Sequence, residues 1–366
     1  MIRYVDEYRD GGIARLLAEK IASMVRQGLE YRFMEFCGGH THAIFRYGLA
    51  DLLPDSVRLV HGPGCPVCVL PMGRIEGAIS LSRKQGVILA TYADMMRVPA
   101  SKGMSLYKAR SEGADVRMVY SAMDALKIAR ENPGKEVVFF AIGFETTTPP
   151  TALSIIQAKS EGMGNFSVYC NHVLTPPALR GILEAGAEID GVIGPSHVSA
   201  VIGTEPYAFV PKEFGKPVVI AGFEPLDVMQ SILMLVEQVN SGKAEVENEY
   251  SRAVEGSGNR RARTVMDEVF ELRDTFEWRG LGWMENSARK IAPAYSDLDA
   301  EIRFDIPPMS GADHKACECG EILRGKKRPK DCRVFGTACT PENPMGSCMV
   351  SSEGACAAYY SYGRYK

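Results

Sequence analysis

The chain has 366 residues, 46% of them hydrophobic and 24% charged, with a formal net charge of −3 and a pI near 6.1. That length holds two or three domains and that composition is globular, which excludes a disordered chain. The near-balanced charge offers no global attraction for nucleic acid or an anionic membrane. The opening "MIRYVDEYRDGG" is charged from its third residue, unlike a secretory signal, and "VVFFAIGF" (137–144) is far shorter than the roughly 20 residues that span a bilayer. A cytoplasmic protein with no nucleic-acid or membrane partner is expected.

In chain order, apolar β-rich runs alternate with segments of helical spacing. The runs are "YRFMEFCGGHTH" (31–42), "VRLVHGPGCPVC" (57–68), "GVILATYADMMRVP" (86–99), "EVVFFAIGFETTTPP" (136–150), "FSVYCNHVLTPP" (166–177), "DGVIGPSHVS" (190–199) and "PVVIAGFEPLD" (217–227). The helical segments are 13–27, 77–85, 122–134, 152–162 and 227–242. Such alternation predicts an α/β fold with parallel sheets covered on both faces. Too many strands are present for one compact sheet, so two parallel-sheet α/β domains facing a cleft are expected, over 1–120 and 121–222. The helix in 223–255 would complete the first. The Gly-Phe-Glu that follows a run at 143–145 and again at 222–224 hints at shared architecture.

From 256 the texture changes: 259–283 reads as a charged amphipathic helix followed by a turn, and segments of little periodicity come after it. A small, loop-rich C-terminal domain over 256–366, held by a metal centre, is expected. It contains six of the ten cysteines: Cys317, Cys319, Cys332, Cys339, Cys348 and Cys356. Reduced cytoplasmic thiols clustered in this way point to metal binding or catalysis rather than to a disulfide framework. The gaps between them match no zinc finger or ribbon. A [4Fe–4S] cluster takes four thiolates and leaves two unassigned. In "CEC" (317–319), two ligands at i and i+2 would crowd one edge of a cluster, which favours one ligand and one neighbour paired with a thiol from a distant loop. Besides Arg324, five basic side chains in "LRGKKRPKDCR" (323–333) are expected around Cys332, where they would offset the negative charge of a cluster, unless they form a solvated loop.

In parallel sheets ligands bind beyond the carboxyl ends of the strands. The loops there carry Cys37, His40, His42, His61, Cys65, Cys68, His172 and His197. Cys37 precedes two glycines that allow close backbone approach, and His40 or His42 is placed to accept its proton. Cys65 and Cys68, in "HGPGCPVCVLP" (61–71), suit three uses by themselves: holding a metal, cycling as a disulfide, or forming half of a zinc site. His61, His172 and His197 are candidates for orienting ligands, or plain loop histidines. Asp94, Glu145 and Glu224 follow strands and are expected to cap helices, or to shuttle protons. Glu353, three residues before Cys356, is a candidate for tuning a cluster. Cys170 and the 17 methionines read as packing, and His314 has no assigned role. No GxxxxGK[ST] phosphate loop is present.

Along nearly its whole length the chain resembles the HypD family of [NiFe]-hydrogenase maturation proteins. The matching stretches are "FMEFCGGHTH", "GPGCPVCVLP", "GFETTTP", "GPSHVS", "AGFEPLD" and "CEC…CRVFGTACTPENPMGSCMVSSEGACAAYY". The resemblance implies a [4Fe–4S] cluster on Cys317, Cys332, Cys339 and Cys356, with Cys319 and Cys348 as an adjacent redox-active pair similar to that of ferredoxin:thioredoxin reductase. It further implies a scaffold on which Fe(CN)2CO is assembled, with transient iron that carries CN and CO ligands held by Cys37 and with Cys65 and Cys68 as co-ligands or a second redox pair. The implied partners are a HypC-type small chaperone and a HypE-type cyanide donor, which a monomer would meet in transient complexes. A stand-alone iron–sulfur disulfide reductase is the alternative, but it leaves Cys37 without a task.

Overall fold

The computed structural model describes residues 6–307, 311 and 313–363. Nine strands form two all-parallel sheets. The first sheet contains β1 (Tyr31–Glu35) and β2 (Val57–His61); the second contains β3 (Val87–Thr91), β4 (Asp115–Met118), β5 (Glu136–Gly143) and β6 (Phe166–His172). The chain then returns to the first sheet with β7 (Gly191–Pro195), β8 (Val218–Ala221) and β9 (Val246–Asn248). The orders are β2-β1-β7-β8-β9 and β4-β3-β5-β6, so the fold is α/β as expected. The strands do not divide at residue 120. β3 and β4 join β5 and β6, while β7 and β8 pair back beside β1, so the second sheet is inserted within the first. The two Gly-Phe-Glu triplets follow β5 and β8, one in each sheet, at equivalent carboxyl ends.

The local chemistry explains the elements. β5 and β6 are buried on both faces, which is why β5 reads as a nearly unbroken apolar run rather than an alternating one. The helix Gly11–Met24 starts where Asp10 accepts from the amides of Gly12 (2.7 Å) and Ile13 (3.1 Å). The helix Ala122–Glu131 starts with a capping box between Ser121 and Asp124. The helix Pro225–Ser241 starts with Glu224 and Asp227 in the same reciprocal arrangement and ends at Gly242 in the left-handed region (φ 68°). Two short edge strands escape a reading of the sequence: β4 and β9 have four and three residues and little hydrophobic pattern.

The segment after 256 joins the sheets rather than standing apart. The helix Arg260–Val269 packs on the helix Thr148–Ser160, and the strand Arg289–Ile291 runs along β6. Val269, Phe270, Ile291 and Leu298 belong to the core of the second sheet. Two antiparallel pairs occur here, Phe270–Leu272 with Arg289–Ile291 and Thr275–Trp278 with Gly282–Glu285. Beyond them, Ser347–Met349 rests on the short helix Pro66–Val69, and Ala355–Ala358 rests on the helix Gly38–Arg46. This packing carries the late cysteines to the loops of the first sheet.

Candidate functional site

Cys37 is the N-cap of the helix Gly38–Arg46, two residues past the end of β1. The loop is held from three sides, and each contact needs a glycine. The Gly38 amide donates to Gly64 O (3.2 Å), and a Cβ on Gly64 would lie 2.4 Å from Cys37 Cα, so the Cys37 and Cys65 loops touch backbone to backbone. A Cβ on Gly38 would lie 2.4 Å from Glu353 Cβ, and one on Gly39 would lie 2.6 Å from the Phe223 ring. The two glycines after Cys37 therefore admit other parts of the protein itself. Glu353 accordingly sits beside Cys37.

Beneath the loop lies Glu35, fully buried at the end of β1. Its Oε1 accepts from Thr41 Oγ1 and meets His61 Nδ1 at 2.6 Å; its Oε2 accepts the Cys37 amide at 3.2 Å. Burial pushes the Glu35 carboxyl up, opposed by His61, Thr41 and the Cys37 amide. Reading the sequence for cysteine and histidine passed over Glu35; the signal was an acid inside an apolar strand, "FMEF". Burial pushes the Cys37 thiol up as well, with Glu353 and Glu35 adding to it, while the amides of Gly39 and His40 draw it down. Such a thiol rests protonated, and would have to lose that proton to act as a metal ligand or nucleophile.

His40 is fully buried, and its Nε2 donates to the carbonyls of Ala221 (3.0 Å) and Gly222 (3.1 Å), which ties the helix Gly38–Arg46 to the end of β8. Burial lowers it to about 4, so it is neutral. No contact joins either ring nitrogen to the Cys37 sulfur among the described residues; His40 is placed as an anchor rather than as a base. His42 instead meets Tyr362 Oη (3.1 Å). The Phe223 ring stands between His40 and His197, with centroids 4.7 and 4.3 Å away. His172 meets Thr151 Oγ1 (3.0 Å), and Glu145 receives both the amide and the hydroxyl of Thr175 (2.8 and 2.9 Å). Glu224 caps its helix and pairs with Arg9, and Cys170 packs in β6.

Cys65 caps the short helix Pro66–Val69, its sulfur accepting the Cys68 amide at 3.3 Å, and both cysteines are buried. Cys68 is in side-chain contact with Cys348, Cys348 with Cys319, and Cys319 with both Cys317 (sulfurs 3.2 Å apart) and Cys356. Ser347 Oγ donates to Cys68 O (2.9 Å), which fixes this approach. A Cβ on Gly346 would fall 2.4 Å from Cys317 Sγ and 2.7 Å from Cys319 Sγ, so this glycine makes room for the sulfurs. Contacts from Cys319 and Cys68 draw the Cys348 thiol down to about 6 against the effect of its burial, while burial raises Cys68.

Cys339 accepts the Met345 amide at 3.3 Å and is influenced by Cys319 and Cys317. Cys332 lies beside Glu318 instead. Among the described residues no three His, Cys, Asp or Glu side chains already stand as a metal site. Cys317, Cys339 and Cys356 nonetheless gather about Cys319, a soft thiol set of the type that iron–sulfur clusters take. In the basic loop Lys327 pairs with Glu318, the carboxylate beside Cys332, while Arg328 pairs with Asp331 and Arg324 with Glu321, and the loop lines a cleft along β2.

Compared with known proteins, residues 12–363 match the family described as HypD: Hydrogenase formation hypA family. The chain belongs to the HypD family. It is 62% identical over 371 residues to the hydrogenase expression/formation protein HupD of Azotobacter chroococcum mcd 1, covering 100% of this chain and 98% of that protein. It is 61% identical over 371 residues to the hydrogenase maturation factor HypD of Azotobacter vinelandii, with the same coverage. Against the hydrogenase maturation factor HypD of Escherichia coli (strain K12) the identity is 48% over 368 residues, covering 99% of this chain and 98% of that protein. As a HypD-family member it is a hydrogenase maturation factor. No helix among the described residues is long and apolar enough to cross a membrane.

Proposed function

We propose that this HypD-family protein is the scaffold on which the Fe(CN)2CO group is assembled, with iron as the cargo at Cys37 and its neighbours Cys65 and Cys68. The observation that carries the reading is the run of thiols in contact from Cys68 through Cys348 to Cys319, which joins the loop beside Cys37 to the C-terminal cysteines. Cys317, Cys332, Cys339 and Cys356 would hold a [4Fe–4S] cluster; Cys317 and Cys356 touch Cys319, and Cys339 lies within its electrostatic reach. When bound, such a cluster supplies electrons one at a time.

The chain's own thiols account for the two-electron step. A thiocyanate brought by a HypE-type donor releases cyanide by RSCN + 2e⁻ + H⁺ → RSH + CN⁻, and a dithiol supplies the pair of electrons by closing to a disulfide with loss of two protons. If Cys65 and Cys68 close in this way, Cys348 attacks Cys68 and Cys65 leaves as thiolate. Cys319 then attacks Cys348, Cys68 leaves, and the disulfide has moved to Cys319–Cys348. Each exchange forms one S–S bond and breaks one. Burial of Cys65, Cys68 and Cys348 keeps outside thiols from intercepting it. A HypC-type chaperone would share and remove the iron.

The test is infrared spectroscopy of the anaerobically purified protein, alone and with its small chaperone. Bands of iron-bound CN⁻ and CO are expected in the wild type and lost in Cys37→Ser. In Cys348→Ser, cyanide loading should stop after the first turnover with Cys65–Cys68 oxidised. Sustained loading in that variant would remove the relay, and absence of both bands would favour the disulfide-reductase reading.

A further inference from the structure

β2 is the terminal strand of the first sheet, and its ladder is only half used. Among the described residues it pairs with β1 alone. The flanking bonds set the phase: the Tyr31 amide donates to Ser56 O (2.8 Å) and the Gly62 amide to Glu35 O (2.9 Å). In a parallel ladder alternate residues bond to the same side. Residues 56, 58, 60 and 62 therefore face β1, and the main-chain groups of Val57, Leu59 and His61 face outward. The Val57 amide is taken by Pro54 O (2.8 Å), but among the described residues no backbone partner is found for Val57 O, Leu59 N and O, or His61 N.

This open edge is not on a flat surface. A cleft of about 1220 Å³ runs along it, lined by Val57, Leu59 and His61 from one face of the sheet and by Arg58 and Val60 from the other. The lining wraps the strand, which is the geometry of a slot for one more strand. Apolar Ile182, Leu281 and Met284 supply pockets for alternate side chains, and seven cationic side chains line the cleft against four carboxylates. Two of the cations, Lys326 and Lys330, have no ion-pair partner among the described residues. The loop that carries them is seated on the strand: a Cβ on Gly325, which has φ +71°, would lie 2.2 Å from Val60 Cγ1.

We infer that an extended, acidic segment of a partner protein docks in this cleft by adding as a strand to β2, with its carboxylates over Lys326 and Lys330. Main-chain pairing provides the affinity and the loop provides the sign of charge. Free backbone donors and acceptors over Val57–His61 match a peptide, and apolar lining between the cations disfavours a polyphosphate backbone. The slot ends at His61, whose ring is joined through Glu35 to the Cys37 amide, so a docked partner lies against the cysteine loops. The inference does not rest on iron or on the relay, and it holds or fails on metal-free protein.

The probe is a fluorescein-labelled peptide of alternating glutamate and valine, titrated into the full chain by anisotropy. A lysine–valine counterpart and an alternately N-methylated copy serve as controls. Saturable, salt-weakened binding of the acidic peptide alone is expected, with slowed hydrogen exchange at the Leu59 and His61 amides. The double variant Lys326→Glu, Lys330→Glu should weaken it by about tenfold. No binding up to about 1 mM peptide, equal binding of the lysine or N-methylated peptide, an unchanged Kd in the double variant, or protection elsewhere would each overturn the inference. So would equally tight binding of single-stranded RNA or of anionic phospholipid vesicles that is lost in the same double variant.

Discussion

At the scale of single residues, the site depends on what is missing as much as on what is present. Gly64 has no room for a side chain, since a Cβ would meet the Cys37 backbone at 2.4 Å, whereas Gly134 has nothing within 4 Å. Gly64→Ala should cost about 1–3 kcal/mol of stability in chemical denaturation, because backbone atoms cannot turn aside as a flexible side chain can. Gly134→Ala should stay within about 0.5 kcal/mol. His172 gives a pH signature. It is buried with one unpartnered ring nitrogen, and burial lowers it to about 3. The folded state thus resists a proton that the unfolded chain accepts near 6.5, so stability is full above that value and falls as the pH drops toward 3. His172→Gln should flatten the slope of stability against pH over that window, as measured by urea unfolding at a series of pH values.

At the scale of elements, the helix Pro225–Ser241 sets the position of the 221–224 turn, and that turn anchors His40. Asp227, fully buried in the first turn of the helix, accepts the Glu224 amide at 3.2 Å and pairs with Arg252 at 2.6 Å. Glu249 accepts the Gly222 amide at 3.2 Å from the other side. Asp227→Ala removes the cap and the nearer of the two carboxylates that Arg252 meets, leaving Glu249 at 3.9 Å, and should destabilise the protein by about 1–3 kcal/mol in thermal or chemical unfolding. Asp227→Asn should retain the cap and lose less.

At the scale of the whole molecule, ionic contacts of long sequence separation tie the C-terminal half to the second sheet. Glu301 is bound by both Arg74 and Arg273, and each guanidinium also donates to Cys170 O, at 2.8 and 3.3 Å. Arg74 further stacks over Tyr169 at 4.1 Å. Three parts of the chain meet there: the helix Met72–Ser82, the end of β6, and the segment after 256. Glu301→Ala strands two partly buried guanidiniums side by side and should cost about 3 kcal/mol or more by denaturant titration. Because the late cysteines follow this segment, the variant should also speed alkylation of Cys348 and Cys356 in the folded protein, read by mass spectrometry.

Taken by itself, the sequence determined what depends on near neighbours. A strand such as β5 is legible because burial on both faces leaves a nearly unbroken apolar run, and helix starts are legible because Ser121 and Asp124 must answer each other three residues apart. The thiol motifs and their family resemblance were equally plain. What it did not determine is who meets whom. β1 pairs with β7 across some 160 residues, and Ser347 reaches Cys68 across 279. Glu35 was overlooked because its partners His61 and Thr41 become partners only after β1 and β2 align. The cleft beside the basic loop was hidden for the same reason: charge is visible in a sequence, but the surface it faces is not. Local steric and hydrogen-bonding preferences act along the chain, whereas contacts between distant segments are selected by packing the whole core at once, and only the tertiary structure records that choice.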